Sequence, residues 1–170
     1  MLSEKIVDLL NNQVNKELYS AYLYLDMANY YIDIDLDGFG NWYNIQAQEE
    51  RDHALLFIKY LQNNGAAVKL EAIDKPDKVF ETPLDPLLTG YEHEQYVTSL
   101  IHTIYGAAYE ERDFRTMQFL DWFVKEQGEE ETNADGLVKK YRLYGDDPKS
   151  LYLLNQELAG RVYTAPSLTL

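Results

Sequence analysis

Apolar residues recur from Ser3 to about Ile32 at Ile6, Leu10, Val14, Leu18, Ala21, Leu25 and Ala28, one helix face sustained over many turns. Ser3 is placed to cap its start. A second stretch, about Asn41 to Asn64, contains no Gly or Pro and sets Gln46, Glu50, His53, Phe57 and Tyr60 on one face; Asn63-Asn64-Gly65 stops it. From Gly65 to Pro83 no period survives. A third helix starts near Asp85-Pro86 and ends near Arg112, with the stripe Leu87, Tyr91, Glu94, Thr98, Ile101, Tyr105, Ala108. Asp113 can cap a fourth, about Phe114 to Tyr144, reading Leu120, Phe123, Gln127, Glu130, Ala134, Leu137, Tyr141 and stopped by Gly145. A short fifth helix is predicted from Pro148 to about Val162, followed by a tail, Thr164 to Leu170.

These elements predict an all-α protein, a single domain over residues 1–170, with the four-helix bundle at about 3–144, the fifth helix at about 148–162 and the tail at 163–170. The unpatterned stretch 65–83 is too long for a simple turn inside a compact domain. Extended at about 3.3 Å per residue it can run the length of a bundle, so the third helix starts at the same end as the second. The turn Asp33-Ile34-Asp35-Leu36-Asp37-Gly38 opens like a calcium loop, but Asn44 stands where that loop needs a bidentate Glu and Gly40 where it needs an apolar residue. It is expected to be an acidic turn between antiparallel helices.

Composition narrows the chemistry. The 170 residues are 46% hydrophobic and 26% charged, an ordinary globular balance. Against 15 basic residues stand 29 acidic ones, net charge −14, which repels nucleic acid and anionic membranes and attracts cations. With no Cys, disulfides, thiolate metal sites and cysteine nucleophiles are excluded. The amino terminus lacks an apolar leader and no run approaches a membrane span, so a soluble cytoplasmic protein is expected.

Each long helix interrupts its apolar stripe with polar residues at similar height: Glu17, then Glu50 with His53, then Glu94, then Gln127 with Glu130. Four buried, unpaired carboxylates are not tolerable, because each buried charge costs several kcal/mol. They must protonate or hold cations. Two divalent ions balance the four carboxylates with His53 neutral, and oxygen ligands plus one imidazole suit iron or manganese and accept zinc. Tyr24, seven residues after Glu17, points at the same level; it can hydrogen-bond a ligand, give an electron to reacting oxygen, or simply pack. Glu49, Glu126 and Glu129 adjoin these residues and form either a further cation site or a solvated acidic face. His93 and His102 fall off the stripes without a partner and are expected to be solvated. Met27 and Met117 read as core or contact residues.

The segments Asn15-Lys16-Glu17-Leu18-Tyr19-Ser20, Gln48-Glu49-Glu50-Arg51-Asp52-His53, Tyr91-Glu92-His93-Glu94 and Lys125-Glu126-Gln127-Gly128-Glu129-Glu130-Glu131 together resemble the ferritins, most closely the non-haem bacterial ones. The resemblance spans nearly the whole chain. It implies a ferritin-like bundle in which Glu17, Glu50 and His53 hold one iron and Glu50, Glu94 and Glu130 a second, with Glu50 bridging and Gln127 alongside. It also implies a third iron at Glu49, Glu126, Glu129 and Glu130, and Tyr24 beside the pair. The activity implied is a ferroxidase: Fe(II) oxidised to Fe(III) by dioxygen or peroxide, then stored as ferric mineral in a homo-oligomeric cage of twenty-four chains. Bacterioferritins carry a second Glu-x-x-His where this chain has Gln127 and Glu130, and bind haem through a Met where it has Arg51, so no haem is expected. The acids that line animal three-fold pores fall near Met117 and Leu120 here, with Asp121 close by. The alternative is a di-iron carboxylate oxidase or peroxidase of low oligomeric state that stores no mineral; such proteins often carry a rubredoxin-like domain with four Cys, which this chain lacks. A purely structural bundle would have no reason to bury the carboxylates.

Overall fold

The computed structural model describes residues 2–170 as five helices: α1 (Glu4–Asp33), α2 (Asp37–Asn63), α3 (Leu84–Glu110), α4 (Phe114–Tyr144) and α5 (Pro148–Ala159). The fold is all-α, a four-helix bundle with a short C-terminal helix, and among the described residues there is no strand. Three helices begin on a side-chain cap: Ser3, Asp113 and Asp147 accept from the backbone N–H of Ile6, Thr116 and Ser150. The sevens Leu10, Glu17, Tyr24 and Tyr31 are all buried in α1. Leu25, expected inside, is 43% exposed beside Tyr22; the buried arc runs through Leu23, Tyr24, Met27 and Ala28 instead. Each step of four overshoots a full turn by about 40°, so the run Ile6, Leu10, Val14, Leu18 turns off the buried face, and Leu25 falls on its edge with Leu18.

The second helix starts four residues before the expected Asn41, and two glycines lie inside its first turn. Leu36 offers no capping side chain. The cap comes from α5: Asn155 Oδ1 accepts from the backbone N–H of Gly38 at 2.8 Å and of Phe39 at 3.2 Å. That approach is why residue 38 lacks a side chain, since a Cβ there would lie 1.7 Å from the Asn155 carbonyl oxygen. Between α1 and α2 the acidic stretch is a tight turn with Asp35 at φ 61°, closed by Leu36 N–H donating to Tyr31 O at 2.9 Å. The fifth helix stops at Ala159, short of the expected Val162, because Gly160 ends it.

The crossover, residues 64–83, runs along α1. Asn11 donates to Ala67 O and accepts from Lys69 N–H, Asn15 donates to Ala72 O, Tyr30 packs on Phe80, and Tyr31 donates to Pro83 O. These contacts advance from Asn11 to Tyr31, roughly 30 Å of helix at 1.5 Å per residue. So α3 begins beside the C-terminal end of α1, where α2 also begins, and α2 and α3 run parallel.

The interior is split in two. One apolar cluster gathers Ile6, Leu10, Val14, Phe57, Ile101 and Phe123. The other gathers Tyr24, Met27, Tyr31, Phe39, Leu137 and Leu154. Between them lies a layer of buried polar side chains: Gln13, Glu17, Ser20, Gln46, Glu50, His53, Glu94, Gln127 and Glu130.

Because Asn155 serves two otherwise unpaired N–H groups, Asn155→Ala is expected to cost about 1–2 kcal/mol. Chemical denaturation of the metal-free protein reads this directly; an unchanged midpoint would mean that α2 is capped by other means.

Candidate metal centre

Helical spacing brings Glu50 and His53 to one side of α2, three residues apart. Glu17 reaches the same point from α1. Glu17, Glu50 and His53 each offer a ligand atom, all within 4.8 Å of one another, and among the described residues they are the set of three that could hold an ion. Three atoms in the centre have no hydrogen-bond partner, Gln13 Oε1, Glu17 Oε2 and His53 Nδ1. The last two are metal-ligand atoms by type, and a cation between them would satisfy both. The His53 ring is held edge-on by Trp122 and Phe123.

Glu94 on α3 and Glu130 on α4 are buried in the same layer but outside that three-residue set. Amides join these carboxylates. Gln46 Nε2 donates to Glu50 Oε1 at 3.1 Å and to Glu130 Oε2 at 2.9 Å, so one side chain spans two carboxylates. Gln127 Nε2 donates to Glu94 Oε2 at 3.1 Å, and the Tyr24 hydroxyl donates to Glu94 Oε1. Gln13 Nε2 donates to Glu17 Oε1 at 2.8 Å. Glu50 therefore neighbours both groups, with Glu17 and His53 on one side and Glu130 reached through Gln46 on the other. Neither Gln13 nor Gln46 was singled out as a site residue from sequence. A glutamine four residues before each Glu on the same helix, at 13/17 and 46/50, is the signal available.

Protonation follows from the burial. Burial and the Glu50 charge push Glu17 up to about 8, and burial with the same neighbour pushes Glu94 up to about 8. Burial, then the Glu94 and Glu50 charges, hold Glu130 well above the usual carboxylate range. Burial also opposes the charge on Glu50, but His53 at 3.5 Å and the Glu17 and Gln46 contacts outweigh it and leave its carboxyl below the ordinary value. Burial opposes the His53 charge too, yet the Glu50 carboxylate beside it raises the imidazole to about 10. Burial thus favours a proton on Glu17, Glu94 and Glu130, while Glu50 and His53 favour each other's charged forms.

The flanking acids are less gathered. Glu49 is held by Arg161 Nη2 at 2.5 Å, Glu126 is half-buried, and Glu129 lies exposed with Lys125 at 3.3 Å. Burial outweighs Arg161 and leaves the Glu49 carboxyl raised. His93 departs from the solvated reading: its Nε2 lies 2.7 Å from Ser20 Oγ and its ring packs against Tyr19 and Tyr24. The partner sits on α1, across the bundle, where periodicity along α3 gives no sign of it. His102 is exposed.

A family model described as "Ferritin-like domain" matches residues 7–144. The chain is 41% identical over 156 residues to the bacterial non-heme ferritin of Campylobacter jejuni, covering 92% of this chain and 93% of that one. Among solved structures, an open pore ferritin from the hyperthermophilic archaeon Archaeoglobus fulgidus superposes with a TM-score of 0.93 at 45% identity, over 95% of this chain and all of that one. A closed form of the same ferritin, engineered by site-directed mutagenesis, gives 0.94 at 45% identity over 96% of this chain.

Two outcomes follow from the protonation state. Ligands must shed protons to take a cation. Loading divalent ions anaerobically at pH 7 should therefore release protons from the raised carboxyls and from His53. Calorimetry in buffers of different ionisation enthalpy counts them, and a count near zero would contradict this protonation state. The second outcome concerns stability. Glu17 and Glu94 are raised from 4.5 to about 8 and His53 from 6.5 to about 10, so the folded chain binds more protons than the unfolded one across these intervals. Linkage then makes the metal-free protein lose stability as pH rises from about 5 to 10. Denaturation midpoints across that range test the sign, and a rising trend would refute it.

Proposed function

This chain belongs to the ferritin family, and from that membership we propose that it is an iron-storage protein whose buried centre oxidises Fe(II). Iron is the substrate and the cargo. Glu17, Glu50 and His53 take one ion, and Glu50, Glu94 and Glu130 a second, with Glu50 bridging and Gln127 beside the pair. What supports this most is the position of Glu50: one oxygen shares the Glu17–His53 cluster and the other is tied through Gln46 to Glu130.

The residues have separable roles in that reading. Hard carboxylate oxygens favour Fe(III) over Fe(II), which makes oxidation by dioxygen or peroxide downhill. His53, an imidazole on one side only, gives the two ions unlike surroundings. Tyr24 and Gln127 each donate to Glu94, fixing its two oxygens before iron arrives. Proton loss from the carboxyls matches the charge that iron brings in. Glu49, Glu126 and Glu129 on the adjoining faces receive a third ion on its way to mineral. The product is stored in a cytoplasmic cage of twenty-four copies of this chain. The helices leave Tyr22, Leu25, Leu55, Tyr109, Phe114, Leu143, Tyr152 and Leu153 exposed, more apolar surface than an isolated chain needs and suited to contacts between copies.

Aerobic addition of Fe(II) followed by particle mass and retained iron is the direct test. Storage requires a large particle that keeps many irons per chain; a small assembly keeping two would favour the di-iron oxidase without mineral. Glu50→Ala is expected to lower the initial oxidation rate by at least tenfold, as loss of a ligand shared by both ions should. A parent-like rate in that variant would remove Glu50 from the centre.

A further inference from the structure

Arg161 follows α5 directly, and its guanidinium reaches back across α2. Nη2 lies 2.5 Å from Glu49 Oε2, and Nη1 donates to Gln46 Oε1 at 2.9 Å and to the Trp42 carbonyl at 3.1 Å. The guanidinium carbon stands 4.1 Å over the Trp42 ring, and the side chain is 16% exposed. The segment that carries it is fastened to the bundle: Asn41 donates to Arg161 O, Tyr163 donates to Asp52, Trp122 Nε1 donates to Ser167 Oγ, and Leu168 packs on the first apolar cluster. A narrow cleft is lined by Glu94 and Glu130 together with Trp42 and Gln46, the two residues on which Arg161 rests.

A guanidinium has donors and no acceptor. It can only meet the oxygen of the Gln46 amide, which turns the amide nitrogen inward onto Glu50 and Glu130. One arm of the fork thus sets two carboxylates of the buried centre, while the other neutralises Glu49.

We propose that Arg161 is a resident counter-cation: it occupies the Glu49 carboxylate and locks the Gln46 amide, so a third metal ion binds at Glu49 only by displacing the guanidinium. The inference rests on the two-ion reading of the buried centre. Displacement needs the side chain alone to swing, since the strap is anchored by other groups. Arrival of the third ion then releases Gln46, and with it Glu50 and Glu130, so occupancy at Glu49 and ligand geometry at the pair are linked through one side chain. Arg161 is in these terms a positioning residue, acting through Gln46 and Glu49 and touching no iron itself.

Anaerobic calorimetric titration of the assembled, metal-free protein with Zn(II) is the experiment. The parent is expected to bind two ions tightly per chain and a third more weakly. Arg161→Gln, which removes the charge and leaves a shorter polar side chain, should tighten the third ion about tenfold, the scale of one partly buried charge pair. Arg161→Lys should hold the third ion at parent affinity. In a Glu49→Gln background the Arg161→Gln change should have no effect on ion binding beyond the first two. A third ion unaltered or weakened by Arg161→Gln, with the first two intact, overturns the inference alone; loss of the first two in the parent overturns the two-ion reading and the inference together. An optical readout needs no variant at Arg161. The chain has two tryptophans, so the difference in emission between the parent and Trp42→Phe isolates Trp42 and reports unstacking of the guanidinium. The change is expected at the third equivalent of Zn(II); a change confined to the first two equivalents refutes displacement.

Discussion

Four carboxyl groups and an imidazole share the middle of an apolar bundle, and the requirement that their charge be cancelled governs the rest of the structure. A buried interior cannot keep several like charges a few ångströms apart. Burial favours protons on three of these carboxyls, and in the proposed function cations would take the place of those protons. The surroundings are built to allow the exchange. Gln13, Gln46, Gln127 and Tyr24 donate hydrogen bonds to the carboxyl oxygens, which hold each group in place whether or not it carries a proton. The apolar core divides into two clusters because the layer between them is committed to this chemistry. Packing that a continuous core would have supplied is given up at mid-height.

Much of this was legible in the sequence because it is periodic. Glu17 falls among Leu10, Tyr24 and Tyr31 at steps of seven, and Glu94 between Leu87 and Ile101, so a buried acid announces itself as an error in an otherwise apolar stripe. The crossover was legible by the opposite sign, a long stretch with no period and a proline at its end. What periodicity cannot carry is a hydrogen bond between distant segments. Asn155 capping Gly38, His93 meeting Ser20 and Arg161 gripping Glu49 each join positions far apart in the chain, and the residue types involved are unremarkable where they stand. The early start of α2 was missed for the same reason: two glycines argue against a helix until the neighbour that demands one of them is known. Leu25 belongs to a stripe read mainly in steps of four, which turns away from the buried face, whereas the steps of seven from Leu10 stay on it.

The family model ends at residue 144, so Arg161 lies outside it, while the likeness to the relatives runs over most of the chain. The acids and most of the groups that hold them lie within the bundle, and the residues after it add the Asn155 cap and the Arg161 fork.

The cap that α5 lends to α2 also bears on how the chain is made. Synthesis runs from the amino terminus, so α2, with Glu50 and His53, emerges long before Asn155 and Arg161. Until those residues leave the ribosome, the first N–H groups of α2 lack their acceptor and the Gln46 amide lacks the fork that orients it. The start of the helix that carries Glu50 and His53 is thus capped by a residue 117 positions further along the chain. A nascent chain with α2 made and α5 not yet made has the acids without the contacts that orient them.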